Sequence, residues 1–129
     1  MLKRDITYED FNGEKQTETF YFNISKSELI ELEVDVQGGF GKYLQNIVEA
    51  EDQRRLVHEF KRIVLLAYGQ KSADGKQFVK SDAMRQAFSQ TAAYQTLFME
   101  LATDDKAATA FIKGVIPQDV VTEQDKPVG

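Results

Sequence analysis

The chain has 129 residues, of which 42% are hydrophobic and 29% charged, so it suits one domain with a buried core. It contains no cysteine, which excludes disulfides, thiolate metal sites and cysteine nucleophiles. The net charge of -5 disfavours phosphate backbones, and no uncharged stretch approaches the roughly 20 residues that span a bilayer. We therefore expect neither a nucleic-acid partner nor a membrane segment.

The first two segments alternate between apolar and polar residues and predict a β-hairpin over residues 2–24, because Asn12-Gly13 lies between them. A two-residue turn would pair Ile6 with Thr19 and scatter apolar groups over both faces. A three-residue loop, Phe11-Asn12-Gly13, places one apolar set on a single face: Leu2, Ile6, Phe20 and Phe22. We prefer the second register. It leaves Tyr21 on the opposite face, available to solvent or to a partner. Burial of Tyr21 under the protein's own helices is an equal alternative.

A capping box over 25–28, Ser-Lys-Ser-Glu, predicts a helix through Leu32. Since two strands alone are marginally stable in water, helices must cover the hairpin, and the fold class is α+β. Apolar spacing predicts a second helix over 40–48 and a third from Asp52 to a stop at Gly69. Leu65 lies off the main stripe of the third helix, so that helix is either central in the core, which we favour, or partly reserved for a partner.

The polar segment 70–77 contains an Asp-Gly turn, after which Phe78-Val79 forms either a very short strand or an anchor for the loop. Capping residues then predict three short helices, starting at Ser81-Asp82, at Ser89 or Thr91, and at Asp104. We expect one globular domain over 1–116, with five to six helices within 25–115, and a flexible tail over 117–129.

Residues that carry chemistry are scarce in this chain. His58 is the only histidine and has no partner for a zinc site or a catalytic group, so we interpret it as a surface side chain. The glycines match no phosphate-binding motif, and no carboxylate pair has an evident partner that would orient it. We therefore predict that the chain is not an enzyme and uses no metal or cofactor.

The surplus of aromatic and methionine residues favours a protein-binding surface. Five such residues, together with Leu65, lie near segment ends, off the main helical stripes or on the outer strand face. These six are our candidate partner-binding residues: Tyr21, Leu65, Tyr68, Phe78, Phe98 and Met99. Filling a small core is the alternative role for each of them.

Two sequence segments, AYGQKSADGKQFVKS and AFSQTAAYQTLFMEL, have an order and a spacing of residues that helix formation alone does not explain. Together with YFNISKSELIELE, GGFGKYLQNIVEAED and FIKGVIP, they resemble the tail assembly chaperones of long-tailed bacteriophages infecting Gram-positive bacteria, over roughly residues 2–117.

The resemblance implies a non-virion assembly factor in the host cytoplasm. Its partners would be the tape-measure protein, which it keeps soluble, and the tail-tube protein, whose polymerisation it promotes. A structural tail-completion or connector protein retained in the virion is the alternative. Self-association is a further expectation, since apolar surface serves it equally well.

Overall fold

Within the described residues, the fold is a four-stranded antiparallel sheet with helices packed on the inner face of the hairpin. The computed structural model describes residues 1–34 and 53–115. The strands lie in the order β1-β2-β3-β4 and comprise β1 (Leu2–Glu9), β2 (Lys15–Phe22), β3 (Tyr68–Lys71) and β4 (Phe78–Val79). The helices of the described parts are α1 (Lys26–Val34), α2 (Gln53–Ala67), α3 (Asp82–Ser89), α4 (Ala92–Thr103) and α5 (Asp105–Val115). The predicted α+β class is confirmed, whereas the helix expected over 40–48 and the tail over 117–129 lie outside the described residues.

The register of the N-terminal hairpin is the one that the apolar pattern favours. Ile6 pairs with Glu18, and the loop contains the three residues 11–13. The Gly13 N–H donates to the Asp10 carbonyl at 3.0 Å, and Gly13 has φ of 82°, in the left-handed region that glycine tolerates best. The prediction of a three-residue loop is therefore confirmed.

The two faces of the hairpin differ as this register requires. Ile6 and Phe22 are buried on the inner face, toward the helices. On the outer face, the Thr19 hydroxyl donates to Asp5 at 2.6 Å, and a second hydrogen bond joins two threonine hydroxyls across the strands. Polar cross-strand pairs thus occupy the face that the described helices do not cover.

Four helix starts have the capping residues that the sequence predicts. Ser25 and Glu28 form a reciprocal capping box, with N–H···O distances of 3.2 Å to the Ser25 hydroxyl and 3.0 Å to the Glu28 carboxylate. The other three capping side chains accept hydrogen bonds from backbone N–H groups in the first turns of α3, α4 and α5: Ser81, Thr91 and Asp104. These contacts satisfy N–H groups that have no partner inside the helix.

The third predicted helix ends within two residues of the predicted stop, but Gly69 is a strand residue rather than the glycine that terminates the helix. The helix ends at Ala67, and Gly69 lies inside β3, paired with Tyr21 of β2. The chain leaves the helix because the sheet takes up its backbone: the Asn23 N–H donates to the Ala67 carbonyl at 2.8 Å, and Tyr68 pairs with Phe22. The end of this helix is therefore fixed by strand pairing with a distant segment and not by a glycine in the left-handed conformation.

Aromatic rings form the centre of the core between sheet and helices. Phe22 is fully buried and meets Phe111 of α5 edge-on, with ring centroids 5.2 Å apart. The ring centroid of Phe88, on α3, lies 6.0 Å from that of Phe22 and 5.6 Å from that of Tyr94, on α4. An ion pair between Arg4 of β1 and a glutamate of α4 adds a second link between the layers. The hairpin and the C-terminal helices therefore share one core.

Candidate functional site

A concave surface of the described residues lies where β2 and β3 separate. β3 pairs with β2 at only two positions, Tyr21–Gly69 and Phe22–Tyr68. The hairpin continues past them toward its turn, so a concavity of about 350 Å³ opens between the two strands. We call this opening, with the adjoining groove toward α3, the β2–β3 cleft. The walls of the opening comprise Glu18, Thr19, Phe20, Tyr21, Tyr68, Gly69, Gln70 and Lys71.

The groove toward α3 has a volume of about 280 Å³ and an aromatic floor. Tyr68 stacks on Phe88 with ring centroids 4.0 Å apart and planes 7° apart, and Phe20 lies 5.5 Å from the Phe88 ring. Met84 and Ala87 of α3 form the opposite wall. Stacked rings beside a flexible thioether provide a surface that adapts to apolar side chains of different shapes.

Polar groups border this aromatic floor. The Tyr8 hydroxyl donates a hydrogen bond to the Glu18 carboxylate, and this bond, with burial and nearby negative charge, raises the pKa of Tyr8 to about 12. Tyr8 therefore remains a neutral donor at physiological pH. Gln70 and Lys71 lie at the β3 side of the cleft and are exposed. An apolar floor with a polar rim is the general anatomy of a protein-binding surface.

Three of the six predicted partner-binding residues come together around β3. Tyr21 and Tyr68 both line the cleft, and each pairs with a residue of the neighbouring strand. The Phe78 ring lies over Gly69, so close that a Cβ built on that glycine would be 2.5 Å from the ring. All three aromatic side chains are half-buried, which leaves part of each ring available to a partner.

The other three predicted residues lie on helices, and none of them lines the cleft. Leu65 and Phe98 are half-buried and pack against the core. For Leu65, this agrees with the core interpretation of the third predicted helix. Met99 is 56% exposed on α4. Their role in partner binding remains a prediction, separate from the cleft.

Sequence reasoning missed several residues of the cleft. The sequence places Phe20 on the apolar face of the hairpin, and Met84 and Phe88 fall in the short helix predicted to start at Ser81-Asp82, but nothing in the sequence brings them to one surface. The missing signal is β3: its four residues follow a helix directly, and their pairing partner is more than 45 positions away. A polar stretch after Gly69 contains no local pattern that predicts such a strand.

The described residues provide little for catalysis or metal binding. No group of three or more His, Asp or Glu side chains within 1–34 and 53–115 is arranged to hold a metal ion. His58 is exposed on α2. Within the same ranges, no helix is both long enough and apolar enough to cross a membrane.

Residues 1–127 match the family model described as phage tail assembly chaperone. The match covers nearly the whole chain, and the protein belongs to this family. No curated protein and no solved structure matches it. The family accounts for a role in tail assembly through protein partners and points to a non-enzymatic function.

Proposed function

We propose that this protein binds the tape-measure protein of its phage, keeps it soluble and promotes assembly of the tail tube around it. The observation that carries the proposal is the match of residues 1–127 to the tail assembly chaperone family. The resemblance carried by the two segments AYGQKSADGKQFVKS and AFSQTAAYQTLFMEL supports a finer assignment, to a long-tailed phage of a Gram-positive host. Action in the host cytoplasm, before the particle is complete, follows from the same role.

The β2–β3 cleft is the surface that we propose for the client. A long coiled-coil client exposes rows of apolar side chains until it is packaged, and such rows need temporary cover. The Tyr68–Phe88 stack offers apolar contact area, while Gln70 and Lys71 at the rim offer hydrogen bonds. Contacts of this mixed kind suit a complex that must later release its client.

Co-expression with the tape-measure protein of the same phage tests the proposed function. We expect the tape-measure protein to become soluble and to co-purify with this chain. A tape-measure protein that stays insoluble, and shows no binding as purified segments at low salt, would contradict the proposal.

An Ala87→Arg variant tests the cleft as the client site. Ala87 is exposed on α3 and lines the groove, so the long side chain obstructs the groove while arginine retains a high helix propensity. We expect co-purification to fall about tenfold or more, with an unchanged melting temperature. The matched control is Gln86→Arg, which adds the same positive charge to the same helix outside the groove. Equal loss in both variants would indicate a charge effect and contradict the cleft assignment.

Finished virions distinguish the transient chaperone from the alternative of a retained tail-completion or connector protein. We expect quantitative mass spectrometry of purified particles to find this chain far below the stoichiometry of tail proteins. Stoichiometric amounts would support the structural component and refute the non-virion role.

A further inference from the structure

The N-terminal hairpin forms an arm that extends beyond the rest of the sheet. β1 and β2 pair over eight positions, from Leu2–Phe22 to Glu9–Lys15, whereas β3 accompanies β2 over the last two residues only. The loop and the first residue of β2, positions 11–15, are all exposed. The turn of the hairpin is therefore presented to solvent at the end of a two-stranded arm.

Phe11 occupies the tip of this arm and is 83% exposed, the largest exposure among the large hydrophobic residues of the described ranges. The turn itself does not need an aromatic ring there, because this position of a tight turn accepts most residue types. The contrast with Phe20 and Phe22 on the same hairpin is clear, since both pack in or against the core. Phe11 thus contributes apolar surface that does not pack in the core of residues 1–34 and 53–115.

The turn that carries Phe11 is held rigidly. The Asp10 carboxylate accepts hydrogen bonds from the backbone N–H groups of Asn12 and Glu14, both at 2.9 Å, and from the Gln16 amide at 3.0 Å. The bonds from Gln16 and Glu14 are the main causes that lower the pKa of Asp10, so the carboxylate is charged at neutral pH. Because the turn is ordered before binding, docking Phe11 requires little further loss of backbone entropy.

The charge around the tip indicates what kind of surface it meets. Residues 9–15 contain three carboxylates and one ammonium group, a net charge of -2 over seven residues. The carboxylates are those of Glu9, Asp10 and Glu14. A partner with Lys or Arg beside its apolar contact is attracted to this rim, and one with acidic residues there is repelled.

We propose that the hairpin tip is a second docking element, in which Phe11 inserts into the apolar stripe of an amphipathic partner helix bordered by Lys and Arg. One protruding ring matches the hole between four side chains on a helix surface, as in knobs-into-holes packing. The tip is separate from the β2–β3 cleft. The inference rests on the proposed function in taking a protein client as the partner, and its test does not require the tape-measure protein.

Two designed helical peptides provide the probe. Both carry the same leucine stripe, which lysines border in one peptide and glutamates in the other. In fluorescence anisotropy titrations with the full chain, we expect the lysine-bordered peptide to bind more tightly, and its affinity to fall as salt is raised. We expect Phe11→Ser to weaken this binding about tenfold and to leave the melting temperature unchanged, because the ring is exposed.

The matched control is Ile30→Ser, which removes another exposed hydrophobic side chain, 61% exposed on α1, far from the tip in sequence. We expect it to bind the lysine-bordered peptide like the wild type. Equal binding by Phe11→Ser and wild type, equal binding of both peptides, or no binding of either peptide would each overturn the proposal. Tape-measure co-expression is read out separately, so the proposed function and the tip contact fail independently.

Discussion

At position 69, the addition of a single methyl group to the glycine would create a steric conflict. A Cβ built there would lie 2.5 Å from the Phe78 ring and 2.9 Å from the Val79 carbonyl oxygen. Both distances are too short for carbon contacts, and the second involves backbone that cannot rotate away. The glycine is thus required by the close approach of β4 and its aromatic ring to β3.

We predict that Gly69→Ala lowers the free energy of unfolding by about 1–3 kcal/mol, the usual cost of overpacking. Urea denaturation measures this change. Gln70→Ala, at the exposed neighbouring position, is the control and should change stability by less than about 0.5 kcal/mol. A neutral Gly69→Ala would mean that Phe78 does not lie over β3.

Glu28 and Lys80 form the most connected polar pair of the described residues. The Lys80 ammonium donates to both Glu28 oxygens, at 2.8 and 3.0 Å, and to the Asn23 carbonyl at 2.6 Å. Burial lowers the pKa of Lys80 even though the carboxylate opposes that change. For Glu28, burial acts to raise the pKa, but the hydrogen bonds from Lys80 and Ser25 outweigh it, and the pKa is lowered. The pair joins α1 to the segment after β4.

At the scale of secondary-structure elements, the junction between α3 and α4 depends on Thr91. Its hydroxyl accepts from the Tyr94 N–H at 3.1 Å and donates to the Phe88 carbonyl at 2.7 Å. One side chain therefore satisfies groups at the end of one helix and the start of the next. The junction directly follows the residue pair Phe88-Ser89 at the end of α3, where the Phe88 ring stacks on Tyr68.

Replacement of Thr91 by alanine removes both hydrogen bonds, and we predict a loss of about 1 kcal/mol in the free energy of unfolding. Thr91→Ser retains the hydroxyl, so its free energy of unfolding should fall by only a few tenths of the loss expected for Thr91→Ala. Chemical denaturation followed by circular dichroism compares the two variants. If both are destabilised equally, the methyl group rather than the cap is responsible.

For the whole molecule, acid stability depends on carboxylates that the fold keeps ionised. Asp10, Glu28 and Asp74 all have a pKa below the ordinary values of 3.8 for Asp and 4.5 for Glu. For Asp74 the causes are hydrogen bonds from the Ser72 hydroxyl and the Lys76 N–H. On acidification, the unfolded chain binds these protons before the folded chain does. The stabilisation is therefore complete above about pH 5 and is lost as the pH falls through the lowered pKa values.

We predict that the urea midpoint is lower at pH 3 than at pH 7. We also predict that the midpoint decreases less over this range for Glu28→Gln than for the wild type. At pH 7 the variant should already be less stable, by about 1–3 kcal/mol, because the Lys80 charge stays half-buried without its partner. Denaturation series at the two pH values measure both effects. An equal acid-induced loss in variant and wild type would contradict the assignment of part of it to Glu28.

Much of this fold follows from local pattern in the sequence. The hairpin register was predictable because only a three-residue loop gathers Ile6, Phe20 and Phe22 on one face. The helix starts at Ser25, Ser81 and Thr91 were predictable because capping depends on residues within three positions of each other. These features arise from interactions between near neighbours along the chain.

The candidate surfaces could be predicted only in part. Aromatic and methionine content indicated a protein-binding surface, but Tyr21, Tyr68 and Phe78 meet only because β3 pairs with β2 across more than 45 positions. That pairing also made Gly69 a strand residue and left the cleft beside it, where β2 continues without a partner strand. Likewise, the sequence places Phe11 in the hairpin loop, but only the extension of the arm beyond β3 leaves it 83% exposed.

The sequence by itself determined the α+β class, the hairpin register and the helix caps, because each depends on side-chain period or on contacts within one turn. The tertiary structure alone decided where β3 forms, which aromatic rings are covered and where a concave surface opens. The physical reason is that burial and strand pairing are long-range: whether a ring lies in the core or at a surface depends on segments that no local pattern connects.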